Sequence, residues 1–181
     1  FTRMTEKLKP TETMTFLNRM FSAFEETIRE AGGEVNKYMG DALLAFFPCS
    51  EESEAASCKR VLLAALKMMD QFHEIDAKYK HDFSVVPEVG LGVGVAAGMA
   101  ILGNVGSMNR MEFTLVGDTV NLASRLCSIA ESGQILVNDE MIRMVEGQFR
   151  TEALGAVRLK GKAEPVVPHA VMGERLQPGL A

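Results

Sequence analysis

The chain has 181 residues, 47% of them apolar and 24% charged, with a formal net charge of -5. That length suits one domain around one sizeable core, and the acidic balance argues against a nucleic-acid-binding protein, which would carry a basic face. Three cysteines without a pairing pattern or close spacing fit a reducing compartment and read as small buried apolar residues.

The opening stretch FTRMTEKLKP is polar and charged and does not read as a signal peptide. Residues 10–31 read as a helix, with Met14, Leu17, Phe21, Phe24 and Ile28 recurring at three- and four-residue steps to form its apolar stripe. Pro10 suits the first turn and Gly32-Gly33 the stop. Residues 34–39 and 42–47 read as two short strands around Gly40-Asp41, a hairpin closed by Pro48. Residues 51–80 read as a long second helix with the stripe Leu62, Leu66, Met69, Phe72 and Ile75.

Residues 89–105 carry no charge. The stretch is short and glycine-rich for a membrane span and reads as two buried strands, 89–97 and 99–105. GSMNR is a turn, 111–116 a strand and 118–131 a third helix. QILVN is a strand and 139–146 a short helix. Two late strands, 149–160 and 165–172, flank KGKAE, and 173–181 reads as a C-terminal tail.

The expected fold is α+β, ferredoxin-like, with helices packed on one face of a mainly antiparallel sheet. Residues 1–172 form the domain. A ferredoxin-like unit needs a strand before its first helix; none is visible before residue 10, so an N-terminal strand is expected upstream.

Several residues carry candidate chemistry. Asp41 sits at the bend between two apolar runs. Gly-Asp is common turn chemistry, yet a carboxylate at such a bend can also hold a hard cation such as Mg²⁺. Lys37, four residues earlier, is either a surface lysine or a donor to a ligand. Asn121 and Arg125 are one helical turn apart and share a face, while Leu122, Leu126 and Ile129 would pack inward. A guanidinium one turn from an amide can grip a phosphate and a ribose edge, but the pair also suits a solvated helix face. Lys160 and Lys162 flank a glycine, as a phosphate-covering loop or an ordinary turn would. GLGVG (90–94) lacks both the spacing and the following helix of a dinucleotide fingerprint. GVAAG (94–98) is too rich in glycine and β-branched neighbours for a packed helix pair. His73, His81 and His169 show no metal spacing and read as surface residues.

Taken together, the segments FT, GGEVNKYMGDALLAFF, GNVGSMNRMEFTLVGDTVNLASRL and VRLKGKAEPV, in this order and spacing, resemble the catalytic domain of class III nucleotidyl cyclases. That family comprises the adenylyl and guanylyl cyclases. The resemblance runs from Phe1 to about Met172 and is closest to a bacterial-type adenylyl cyclase. It implies that Asp41 is the second of two metal-binding carboxylates, the first lying on the expected strand upstream of Phe1. It implies that Lys37 and Thr114 read the purine, Asn121 orients the ribose, Arg125 stabilises charge on the reacting phosphate, and Lys160 lies near the terminal phosphates, with Lys162 as a further basic residue. Lys at position 37 is the adenylyl form, where guanylyl cyclases usually carry Glu.

The implied reaction is attack of the 3′-oxygen of ATP on its own α-phosphorus, giving 3′,5′-cyclic AMP and pyrophosphate with two Mg²⁺ or Mn²⁺ per site. Adenine N1 accepts and N6 donates, so a lysine donor suits ATP. The family works as a dimer with sites at the interface, so Asp41 and Lys37 would serve two different active sites of a homodimer. The expected setting is cytoplasmic, without nucleic acid or direct membrane insertion, behind an upstream regulatory domain, in intracellular signal transduction. The alternatives are a catalytically degenerate nucleotide-binding or dimerisation domain, and a guanylyl cyclase, which Lys37 argues against.

Overall fold

Helix α1 (Pro10–Glu30) begins at a capping box in which the Lys9 amide donates to Glu12 at 3.0 Å. It ends at Gly32, whose φ of +80° lets the Gly33 amide turn back to the Ile28 carbonyl at 2.8 Å. The computed structural model describes residues 8–49, 53–82, 88–160 and 164–175. Within them α1 is followed by the hairpin strands β1 (Glu34–Met39) and β2 (Ala42–Phe46), then α2 (Glu54–Asp82) and β3 (Val93–Val95). A second hairpin, β4 (Ile101–Ser107) and β5 (Arg110–Val116), leads into α3 (Asp118–Ile129). The chain closes with β6 (Ile135–Val137), α4 (Asp139–Met144), β7 (Phe149–Ala153) and β8 (His169–Glu174).

The hydrophobic stripe of α1 lies one step round from its expected position. Thr13, Phe16, Met20, Phe24, Thr27 and Ile28 are buried, Leu17 and Phe21 are half-buried, and Met14 is 61% exposed. The helix is apolar over much of its circumference, and α2 selects one row. Phe16 meets Phe72 and Tyr79 edge-on, at ring separations of 6.2 and 5.0 Å. Phe21 turns instead to Tyr38 of β1, at 4.8 Å.

The strands form β1–β2, β4–β5 and a four-stranded sheet of order β3-β6-β8-β7. All pairs are antiparallel except β3–β6, which is parallel because the β4–β5 hairpin and α3 form the crossover between them. Helices cover both faces of this sheet, where one face was expected. Ile135 and Val137 join the core under α2, while Leu136 joins Leu122 and Leu126 of α3. The unbroken apolar run Ile-Leu-Val is what a strand buried on both faces requires.

Several strands differ from expectation in length. The 89–97 run pairs only at Val93–Val95, and 149–160 stops at Ala153, beyond which Val157 and Val166 form a single bridge. Strand β8 continues through Gly173 and Glu174, which pair with Arg150 and Phe149. Ile129, expected inside, is 39% exposed at the end of α3. Only Cys58 of the three cysteines is buried, and none forms a disulfide. No helix among the described residues is long and apolar enough to cross a membrane. β2 and β3 each keep one edge without a strand partner among the described residues, and every residue of both strands is only half-buried.

Candidate active site

The β1–β2 hairpin turns through Gly40, whose φ of +66° suits the bend, and leaves Asp41 exposed at its tip. The Asp41 carboxylate accepts no hydrogen bond and joins no ion pair among the described residues. Its charge is nonetheless felt at Cys127 near the end of α3. Although the residue as a whole is exposed, its sulfur is turned against β3, and this local desolvation pushes the thiol up; a backbone contact with Gly94 opposes the rise, and Asp41 adds to it. The Cys127 thiol donates to the Gly92 carbonyl at 3.5 Å.

Lys37 lies on β1 opposite Leu44 and ion-pairs with Glu112 of β5. The pairing, first as a hydrogen bond and then as a charge, holds the Glu112 carboxyl below its ordinary value. One residue away, the Asn36 amide nitrogen donates to the Phe113 carbonyl at 3.2 Å, and the Thr114 hydroxyl lies 3.3 Å from Asn36 Oδ1. The structure thus brings Lys37 and Thr114 to one junction between β1 and β5. Thr114 pairs across its own hairpin with Gly103, where a Cβ would meet nothing within 4 Å. Cross-strand partners share a face, so the space beside Thr114 is open.

Helix α3 packs through Leu122 and Leu126, which leaves Asn121 exposed and Arg125 half-buried on other faces. The Arg125 guanidinium makes no hydrogen bond or ion pair among the described residues. None joins Asn121 or Arg125 to Lys37, Thr114 or Asp41 either. Lys160 is exposed just beyond the buried Leu159; Lys162 lies outside the described residues. The six candidates therefore fall into Lys37 and Thr114, both held at the β1–β5 junction, and four side chains for which no hydrogen bond or ion pair is formed among the described residues.

A cleft of about 350 Å³ opens between α3 and α4, lined by residues including Asp118, Thr119, Asn138, Asp139 and Arg143. None of the six candidates lines it. His169, read from sequence as a surface residue, is half-buried on β8 with Nε2 2.6 Å from Asp139 Oδ1, near this cleft.

Two residues escaped the sequence reading. Glu112 carries a signal, since it lies two residues before Thr114 on a strand and so shares its face. Asn36 carries none, because its reach to β5 depends on a bulge. Pairing passes from Val35–Ala45 directly to Lys37–Leu44 and skips it.

A hard cation would find one free carboxylate oxygen pair at Asp41. No group of three or more His, Cys, Asp or Glu side chains is placed to hold a metal among the described residues. Mg²⁺ is commonly held by one or two carboxylates together with substrate phosphates, so the residues present fit a cation that arrives with a nucleotide.

An α+β domain with helices packed on both faces of a mainly antiparallel sheet, flanked by two hairpins, is the architecture of the class III nucleotidyl cyclase catalytic domains. The chain belongs to that family: the model for the adenylate and guanylate cyclase catalytic domain matches residues 1–173. An adenylate cyclase of Anabaena cylindrica is 28% identical over 171 residues, which covers 92% of this chain and 33% of that protein. The chain thus spans about a third of that relative's length. The crystal structure of the adenylyl cyclase CyaB from P. aeruginosa shares the fold, with a TM-score of 0.89 at 24% identity over 98% of this chain and 91% of that one. The guanylyl cyclase Cya2 superposes with a TM-score of 0.83 at 26% identity, over 97% of this chain and 87% of that one.

Proposed function

We propose that the chain is the catalytic domain of an adenylyl cyclase that converts ATP to 3′,5′-cyclic AMP and pyrophosphate. The observation that carries the choice of base is the convergence of Lys37 and Thr114 on one open junction. Lysine retains donors beyond the one given to Glu112, and a donor suits adenine N1, an acceptor. Guanine N1 bears a proton and would face that donor. The adenylate cyclase relative supports the same choice.

In the reaction, the 3′-oxygen of the ribose forms a bond to the α-phosphorus, and the bond from that phosphorus to the bridging oxygen of pyrophosphate breaks. The 3′-hydroxyl proton is lost to solvent. Lys37 and Thr114 hold the base, and Asn121 orients the ribose so that its 3′-oxygen faces the phosphorus. Arg125, which forms no hydrogen bond or ion pair among the described residues, donates to the phosphate oxygens as negative charge spreads over them. Lys160 and Lys162 neutralise the terminal phosphates. Asp41 would hold Mg²⁺ or Mn²⁺, with a second carboxylate from a strand seated between the open edges of β2 and β3. Bound there, the ions would supply a lowered pKa for the 3′-hydroxyl and neutralisation of phosphate charge.

The site is completed by a second copy of the chain, so that Asp41 of one protomer works with Lys37, Thr114, Asn121 and Arg125 of its partner. Two observations support this. Among the described residues no contact of hydrogen-bond or ion-pair type unites the two sets. In addition, Ile101, Val105 and Val116 on one face of the β4–β5 hairpin, and Met111 and Phe113 on the other, are half or more exposed, so the hairpin presents apolar side chains that a second copy could cover. Three cysteines that form no disulfide and an intracellular substrate support a cytoplasmic setting, in a longer protein whose remaining part supplies regulation.

Product analysis of the full-length protein tests the proposal. With Mn²⁺ and either ATP or GTP, mass spectrometry should detect cyclic AMP from ATP, and Asp41→Ala should abolish it. Cyclic GMP as the main product would reverse the base assignment. No cyclic product from folded, dimeric protein would make this a binding or partner domain.

A further inference from the structure

Asn36 stands immediately before Lys37 and has no partner across the hairpin, which makes it the extra residue of a β-bulge. In a regular strand, neighbouring side chains point to opposite faces. The bulge breaks that alternation, and both side chains address β5: Lys37 reaches Glu112, and Asn36 reaches Phe113 and Thr114.

The chemistry of this contact sets the direction of each hydrogen bond. The Phe113 carbonyl can only accept, so the Asn36 amide must turn its NH₂ group toward it, at 3.2 Å. That orientation leaves Oδ1 facing the Thr114 hydroxyl at 3.3 Å. Oδ1 can only accept, so the hydroxyl must donate. The single Thr114 proton is thereby engaged, and only the oxygen lone pairs remain for a ligand.

We propose that Asn36 is a specificity-positioning residue: by holding the Thr114 proton it makes Thr114 an acceptor beside the Lys37 donor. The inference rests on the base-reading role proposed above for Lys37 and Thr114. Adenine presents an acceptor at N1 and a donor at N6, and a donor beside an acceptor matches that edge. Guanine presents N1–H and O6, the reverse order. A freely rotating hydroxyl could donate to O6 and tolerate guanine, whereas one engaged by Asn36 cannot.

The test compares kcat/KM of the full-length protein for ATP, GTP and purine riboside triphosphate, which lacks the N6 amino group. Wild type should favour ATP over the purine riboside analogue; equal use of the two would overturn the inference without any variant. Asn36→Ala should lower the ATP-to-GTP ratio by about fivefold to tenfold, the worth of one neutral hydrogen bond. Asn36→Asp keeps an acceptor for the Thr114 proton and should retain the preference. In a Thr114→Val background, Asn36→Ala should change the ratio no further, because the group it acts through is gone.

A merely structural Asn36 would lower kcat/KM for ATP and GTP alike, and a ratio unmoved by Asn36→Ala overturns the proposal. So does an undiminished effect of Asn36→Ala on top of Thr114→Val. If Thr114→Val alone leaves the ratio unchanged, the base-reading role itself fails. A ratio moved by Thr114→Val but not by Asn36→Ala overturns only the role of Asn36.

Discussion

Gly94 of β3 lies so close under α3 that a Cβ on it would stand 2.2 Å from the Cys127 amide nitrogen and 2.3 Å from the Ala123 carbonyl oxygen. Both neighbours are backbone, so neither can swing aside. This contact seats the helix that carries Asn121 and Arg125 on the strand beneath it.

Gly94→Ala must therefore push α3 outward. The expected loss of stability is about 1–3 kcal/mol, typical of an overpacked site. Chemical denaturation should show a lower midpoint with an unchanged slope. Turnover should fall as well, because Arg125 moves with its helix. An unchanged midpoint would mean that the two elements are less tightly apposed.

The shared-site arrangement predicts complementation. Asp41→Ala and Arg125→Ala should each inactivate a homodimer, with Arg125→Ala lowering turnover about a hundredfold or more while ATP binding changes less. Mixing the two inactive proteins should restore activity, since one site of each mixed dimer regains both groups. Mixed dimers demonstrated by mass, yet still inactive, would place the two residues in one protomer's site.

Asn138 ties the segment just after β3 to the β6–α4 junction through one buried side chain. Its Nδ2 donates to the Ala97 carbonyl at 3.0 Å, and its Oδ1 accepts from the Ala97 and Met141 amides at 3.1 and 3.3 Å. The last bond caps α4. Asn138→Ala removes the cap and leaves the half-buried Ala97 carbonyl and amide without this partner, at a cost of about 1–3 kcal/mol. A thermal melt reads the loss. A change within a few tenths of a kcal/mol would show that water replaces the amide.

Glu112 gives a pH-dependent signature of the Lys37 contact. Its folded carboxyl lies below the ordinary value, by hydrogen bonding to Lys37 first and by its charge second. For a depressed acid, the contribution of the pair is present above the unfolded value and is lost as pH falls through the folded one. An NMR titration of the Glu112 carboxyl carbon should show a midpoint below the usual glutamate range, returning to it in Lys37→Met. The pair is exposed, so global stability should barely move. An unshifted midpoint in wild type would mean that Lys37 is not held by Glu112.

Much of this molecule was legible in its sequence, for identifiable reasons. Periodicity located the three long helices, because an amphipathic helix must repeat its apolar residues every three to four positions. Glycine and proline located the hairpin bends. The face of α1 was misjudged because that helix is apolar on two sides, and only the position of α2 chooses between them. The strand extents at 89–97 and 149–160 were overestimated. An apolar run shows that a segment is buried, whereas pairing needs a neighbour at the right distance.

The candidate site divides in the same way. Lys37, Asp41, Thr114, Asn121, Arg125 and Lys160 could be named from motifs because their chemistry depends on residue type and spacing along one segment. That Lys37 and Thr114 come to one junction, held by Glu112 and Asn36 respectively, depends on how β1 lies against β5. The bulge at Asn36 matters most, since one unpaired residue turns two neighbouring side chains toward the same strand. By itself, the sequence determined most of the elements, the family and the set of candidate site residues. Only the tertiary structure decided which of these groups are held by other side chains among the described residues, because a hydrogen bond depends on partners that lie far apart in the chain.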